Sequence, residues 1–388
     1  MSHLVACMDV WVPAVPEVVK RAAPPRLDLR FARTYDEADQ MALVEDAEFL
    51  LPGFAPVSEA MLQHAKKVRM VQKWGNGIDS IDVAALRRMG IPLMIAAGSN
   101  AAPVAELAIA LMLGVYRRLP YVNRAMREGG FPMSEMRETC FQVTGKTVGL
   151  VGFGNTGRML ARRLRGFDAK LIYFDARRAD PETERALSAT YSPLRDVLAQ
   201  SDILSLHAPL NAGTAKMIDA ASIASMKDGA ILINTARGGL VDEKALYEAL
   251  AIGKLRGAGL DAFDPEPPSA DNPLLTLDQV VVTPHAGGGV FDNVENVARH
   301  TLGNIMRFVR GEPIPAMDVI IPVTPAQSHW PSPWTSRWRL RLAALTRSTS
   351  TSSIRSFPRR RGLYARRNAS ACRRAAAANT ACKNMVNN

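Results

Sequence analysis

Short apolar runs and helical apolar stripes take turns along most of the chain, in the rhythm of strands laid beside helices. Residues 4–10, 27–32, 48–51, 68–74 and 92–95 read as strands of a small parallel sheet, with helices at 59–65 and 83–89 between them. Residues 104–127 are mostly apolar over a length that suits a long helix or helix pair, a natural connector between domains. From 146 onward the alternation becomes regular, with strands at 147–151, 171–174, 203–206, 230–233, 257–260 and 280–283. Six such segments fit a doubly wound sheet with helices on both faces. An amphipathic stretch at 293–309 would be a final helix returning to pack on the first domain. The pattern predicts an α/β protein of two Rossmann-like, doubly wound parallel-sheet domains.

The pattern stops at Pro322. Beyond it Ser, Thr, Arg, Ala and Asn dominate, with 12 Arg, one Lys and no acidic residue from there to the end. That segment carries +13 of a whole-chain net charge of +11, so the remainder sits at −2. The basic balance therefore belongs to the tail and requires no nucleic-acid partner. Three readings of 323–388 compete: a disordered low-complexity segment, an arm for an anionic partner, or a reading-frame artefact. The abrupt change favours disorder or the artefact. Cysteines are few and scattered (Cys7, Cys140, Cys372, Cys382) with no metal-like spacing, so reduced thiols, no metal and a cytoplasmic location are expected. No signal-peptide pattern opens the chain, and the apolar run 101–116 is too short to span a bilayer.

The most informative ten residues are Val148-Gly149-Leu150-Val151-Gly152-Phe153-Gly154-Asn155-Thr156-Gly157. A buried strand runs into G-x-G-x-x-G, and helical spacing follows. Gly152 would allow the tight turn, Gly154 the approach of a pyrophosphate, and Gly157 close packing of helix on strand. The helix N-terminus would aim its free N–H groups at the phosphates. A second strand ends in Asp175, 18 residues beyond Gly157, close to where a dinucleotide fold places its ribose-binding acid.

Three further groups lie at strand ends, where open α/β sheets bind their ligands. Ile233-Asn234-Thr235-Ala236-Arg237-Gly238-Gly239 presents a glycine-flanked arginine, a fork of donors for a carboxylate or carbonyl oxygen. Gly259-Leu260-Asp261 through Glu266-Pro267 brings three carboxylates, some of which could be solvated loop charges. Val282-Thr283-Pro284-His285-Ala286-Gly287-Gly288-Gly289 presents a histidine before glycines. His207 also follows a strand, as a cofactor neighbour or a satisfied structural residue.

Taken in order, these motifs and Val104-Ala105-Glu106-Leu107-Ala108 resemble the D-isomer-specific 2-hydroxyacid dehydrogenases over residues 40–320. The resemblance implies residues 1–103 and 290–322 as a substrate-binding domain, and 104–289 as an NAD-binding domain. It implies Arg237, Glu266 and His285 as the catalytic set: His285 as general acid and base, Glu266 favouring its imidazolium, Arg237 holding the substrate carboxylate and polarising the carbonyl. Asp261 would meet the nicotinamide end, and Asn155, Thr156, Thr235 and Gly287 would line the cofactor. Neighbouring His207, Pro209, Ala236 and Gly288 join that set. Backbone N–H groups of Gly75, Asn76 and Gly77 would hold the substrate carboxylate. Relatives pair through the connector helices, which implies a homodimer.

Asp175 can accept both ribose hydroxyls and would repel a 2′-phosphate, so NAD is favoured over NADP, although Arg177 and Arg178 follow and could partly offset that repulsion. Phosphoglycerate-specific relatives carry an arginine where this chain has Pro52-Gly53-Phe54-Ala55-Pro56, so a small unphosphorylated 2-keto acid is favoured. Gly289 and Val290 stand where the family has hydroxyl-bearing residues, and Lys73-Trp74, just before the Gly75 loop, could shape the pocket, although a tryptophan at a strand end is more often simply core. A different class competes with the enzyme: an NAD(H)-sensing regulatory binding protein of the corepressor type on the same fold.

Overall fold

The computed structural model describes residues 2–323. The basic segment from 324 on, with the readings placed on it above, lies outside the described residues.

Two parallel-sheet α/β domains are present. The first is built on β1 (His3–Cys7), β2 (Leu27–Phe31), β3 (Phe49–Leu51), β4 (Met70–Gln72) and β5 (Leu93–Met94), all parallel to one another. The second holds β6 (Thr147–Val151), β7 (Lys170–Phe174), β8 (Ala189–Tyr191), β9 (Ile203–Leu206), β10 (Ala230–Asn234), β11 (Leu255–Leu260) and β12 (Val280–Val282). β13 (Val319–Ile321) returns to the first sheet and pairs antiparallel with β5. The orders are β13-β5-β4-β3-β1-β2 and β12-β11-β10-β9-β6-β7-β8.

β9 and β10 are buried along their whole length, as strands covered on both faces must be. Alternate residues of β10 go to opposite cores: Ile231 and Ile233 join Val148, Leu150 and Ile203, while Leu232 joins Val151, Leu204 and Leu260. The helix Ala101–Tyr116 lies over the first of these faces with Ala105, Ala108, Leu111, Met112 and Val115 buried. β11 makes room for it with glycines, since a Cβ on Gly259 would come within 2.8 Å of Leu111. The long helix Val294–Arg310 packs Ala298, Leu302, Ile305 and Met306 onto Val5, Phe49, Met70 and Met94 of the first sheet. No helix among the described residues is long and apolar enough to cross a membrane.

Several expectations need correction. The first sheet has a sixth, antiparallel strand, and the second has a seventh, β8, a three-residue edge strand too short to show a pattern. Two helices in the first domain, Ala14–Ala22 and Glu37–Val44, went unread. The expected strand at 4–10 ends at Cys7, and the one at 68–74 narrows to Met70–Gln72. Asp9, Lys73 and Trp74, expected within strands, belong instead to loops at the strand ends.

Candidate active site

The second sheet reverses its winding between β6 and β9, and the glycine loop lies there. Gly152 has φ 96°, and a Cβ on it would stand 2.5 Å from the carbonyl carbon of His207 after β9. A Cβ on Gly157 would collide with the carbonyl of Gly152, so the helix Asn155–Leu164 can approach its strand only through glycine. Gly154 differs: nothing lies within 4 Å of where its Cβ would be. As N-cap of that helix it supplies no side-chain acceptor, leaving the first-turn N–H groups for something else. Asp175, at the end of β7, accepts the Phe153 amide at 2.7 Å and the Arg177 amide at 2.9 Å. The Arg178 guanidinium is tied in a two-pronged bond to Glu184, 2.9 Å on each arm.

Two buried polar atoms beside this loop have no partner among the described residues, His207 Nδ1 and Thr235 Oγ1. His207 Nε2 meets Ser205 Oγ at 2.9 Å, and burial pushes the ring down to about 4, so it stands neutral. A polar ligand is what an open glycine face, an uncapped helix start and two orphaned atoms fit. Pro209 follows, with its carbonyl held by Thr214 at 2.7 Å.

His285 follows β12 in the left-handed region, at φ 52°. Asp261, 2 % exposed, shapes that loop: it accepts Thr283 Oγ1 at 2.5 Å, the Ala286 amide at 2.8 Å and the Gly287 amide at 2.9 Å. These bonds build the histidine loop. His285 Nδ1 lies 2.8 Å from Glu266 Oε2, and Glu266 Oε1 accepts the Phe263 amide at 2.9 Å. An ionised carboxylate only accepts, so the Nδ1 proton belongs to this bond and Nε2 is the nitrogen Glu266 leaves free. Burial raises the Glu266 carboxyl, but the hydrogen bonds from His285 and Phe263, with the charges of His285 and Arg237, outweigh it and hold it below its ordinary value. A carboxyl depressed in the fold contributes stability above its unfolded titration range and loses it as pH falls through the folded one. The melting-temperature advantage of wild type over Glu266→Gln should therefore shrink on acidification below the ordinary glutamate range. An advantage that grew would contradict the pairing.

Arg237 leaves β10 through a turn gripped by Asn234, whose side chain donates to the Arg237 carbonyl at 2.8 Å and accepts from Ala236 at 3.0 Å. Its Nε meets Asp79 Oδ2 at 2.7 Å and one terminal nitrogen meets the Ala236 carbonyl at 2.7 Å. The other terminal nitrogen lies against Gly77, in the space a Cβ there would need. None of the amide N–H groups of Gly75, Asn76 and Gly77 finds an acceptor among the described residues. Asn76 Nδ2 donates to Asn100 at 2.9 Å, and Gly288 packs close to the same Asn100. Phe54, 66 % exposed, sets its ring edge-on to His285 with centroids 5.5 Å apart.

The expected residues thus fall into two groups, one around the glycine loop (Gly152 to Gly157, Asp175, His207, Thr235) and one around His285 and Arg237 (with Glu266 and Gly75 to Gly77). Sequence reading missed Asp79 and the turn-forming role of Asn234. Both carry a signal only in hindsight of the fold, since one acid in a loop and one amide at a strand end are common.

A doubly wound nucleotide-binding domain whose strand ends carry a histidine–carboxylate pair beside an arginine defines a nicotinamide-dependent dehydrogenase. The family model "D-isomer specific 2-hydroxyacid dehydrogenase, NAD binding domain" matches residues 109–287. The chain is 35% identical over 307 residues to a glyoxylate reductase of Korarchaeum cryptofilum, covering 79% of this chain and 87% of that one. A hydroxypyruvate reductase of Thermotoga maritima is 36% identical over 284 residues, 72% of this chain and 91% of its own. The solved D-mandelate dehydrogenase of Rhodotorula graminis superposes with a TM-score of 0.72 at 27% identity, covering 83% of this chain and all of that one. The chain belongs to the D-isomer specific 2-hydroxyacid dehydrogenase family. It is an NAD-dependent oxidoreductase acting on the CH–OH group of a 2-hydroxy acid or the corresponding keto group.

Proposed function

We propose that this enzyme interconverts a small unphosphorylated 2-keto acid and its D-2-hydroxy acid, working in cells mainly as a reductase. Glyoxylate, hydroxypyruvate or a short aliphatic keto acid would be its substrate. The observation that carries the reading is the 2.8 Å bond from Glu266 to His285, which commits one ring nitrogen and leaves the other for the reacting oxygen. When bound, the nicotinamide supplies the hydride that reduces the carbonyl carbon. His285 protonates the carbonyl oxygen, and in the reverse direction takes that proton back. Glu266 orients the ring and balances its charge. Arg237 and the unpaired amides of Gly75, Asn76 and Gly77 hold the substrate carboxylate, with Arg237 also polarising the carbonyl. We assign residues 1–103 and 290–322 to the substrate side and 104–289 to the cofactor side. No basic side chain stands at 52–56, which argues against a phosphorylated substrate.

The cofactor set in this reading is Gly152, Gly154, Asn155, Thr156, Gly157, Asp175, His207, Pro209, Thr235, Ala236, Asp261, Gly287 and Gly288. NAD is preferred over NADP because Asp175 would accept the ribose hydroxyls and repel a 2′-phosphate, and of the two arginines that follow it Arg178 is committed to Glu184. Asp175→Ala should erase the NADH over NADPH preference in kcat/KM; an unchanged ratio would remove Asp175 from the ribose site. The decisive experiment is NADH consumption across a panel of 2-keto acids, phosphorylated ones included. Turnover of an unphosphorylated acid is expected. NADH binding with silence across the panel would favour the regulatory binding protein instead.

A further inference from the structure

The loop that places Phe54 beside His285 is held by buried charge on both sides. Asp9, just past β1 and 1 % exposed, turns its carboxylate to three successive amides: Gly53, Phe54 at 2.5 Å and Ala55 at 3.1 Å. A Cβ on Gly53 would run into that carboxylate, so only glycine admits this approach. Lys73, just past β4 and 6 % exposed, donates its ammonium to the Gly53 carbonyl, with the Trp74 carbonyl 3.4 Å away. One residue is thus gripped through its N–H by an anion and through its C=O by a cation.

Such an arrangement is poorly explained by stability alone. Burying two charges is costly, and well-packed apolar residues commonly serve a fold as well or better. Burial pulls the Lys73 ammonium down to about 8; Asp9 and Asp79 oppose that shift and Arg237 adds to it. What the clamp delivers is a fixed position for an exposed aromatic ring that touches the histidine.

We propose that Asp9 and Lys73 are positioning residues that hold Phe54 against His285, so that the wall meeting the substrate's side chain is built before substrate arrives. The inference rests on the reading of His285 as the proton donor. A rigid wall discriminates between substrates that differ beyond C2, while glyoxylate, which has no side chain, barely feels it.

The test is the ratio of kcat/KM for 2-ketobutyrate to that for glyoxylate, in wild type, Lys73→Met and Asp9→Asn, with NADH affinity and melting temperature measured alongside. Each variant should shift the ratio by about tenfold, within the range that a methylene-sized contact commands, leaving NADH affinity unchanged. Equal loss on both substrates, or a lowered melting temperature with the ratio unmoved, would reduce the clamp to a structural element and overturn the proposal. Should a variant not fold, the wild-type ratio can be followed from about pH 7 to about pH 9.5, across the loss of the Lys73 charge. Titration of a proton donor common to both substrates cancels from this ratio, so it should drift above the Lys73 range, and a flat ratio would also overturn the proposal. Wild type inactive on every 2-keto acid would instead sink the reading of the reaction itself. Turnover with an unmoved ratio sinks only the clamp.

Discussion

His285→Ala should lower keto acid reduction by about 10²–10⁴-fold, the usual range for loss of a positioned general acid. NADH affinity should stay within about twofold, because the glycine loop and Asp175 follow β6 and β7 whereas His285 follows β12 at the far edge of the sheet. The loss must appear in both directions, since the variant cannot alter the overall equilibrium and the group that gives the proton must also take it. Stability should fall only modestly: Glu266 loses its partner, but the histidine side chain is 29 % exposed and the left-handed φ of its backbone favours no large side chain. The loop is worth building because Asp261 spends both carboxylate oxygens on it, offsetting a backbone strain of about 1–3 kcal/mol. Single-turnover reduction with NADH pre-bound measures the effect directly. Activity within tenfold of wild type would mean that water or another group delivers the proton.

The sheet that carries the nucleotide site was the most legible part of the chain. Its strands are continuous apolar runs because both faces are covered, and the ends of β6 and β9 could be read to the residue. β8 could not, since Ala-Thr-Tyr at a sheet edge has neither length nor pattern. In the first domain, strands of two or three residues such as β5 give way to polar loops, and the apolar reading ran past their ends. The overrun past β1 hid Asp9, which looked like the tail of a strand and is a buried charge beneath the Phe54 loop, whereas Lys73 had stood out beside Trp74 as a residue that could shape the pocket. The family resemblance pointed to His285, Glu266 and Arg237, and the fold sets Glu266 against His285 with the Arg237 charge acting on the same carboxyl. Sequence reading missed the Arg237–Asp79 pair, a contact across 158 residues that no local spacing announces.

Arg237→Met should lower kcat/KM by about 10²–10³-fold, comparable to losing a donor aimed at developing oxyanion charge. The guanidinium is held at two of its nitrogens, by Asp79 and by the Ala236 carbonyl, which leaves the third beside Gly77 as the one free to meet a ligand. The unpaired amides of Gly75, Asn76 and Gly77 flank it, so a carboxylate placed there would meet a fork and a turn of N–H groups together. Lysine keeps the charge but not the fork and should recover only part of the loss. Because the fork must pass over Gly77 with no Cβ beneath it, Gly77→Ala should displace the guanidinium and reproduce much of the Arg237→Met defect without removing a charge. Both variants should raise KM for the keto acid while sparing NADH affinity. Full rescue by Arg237→Lys would show that charge alone suffices, and a fully active Gly77→Ala would show that Arg237 reaches the substrate by another path.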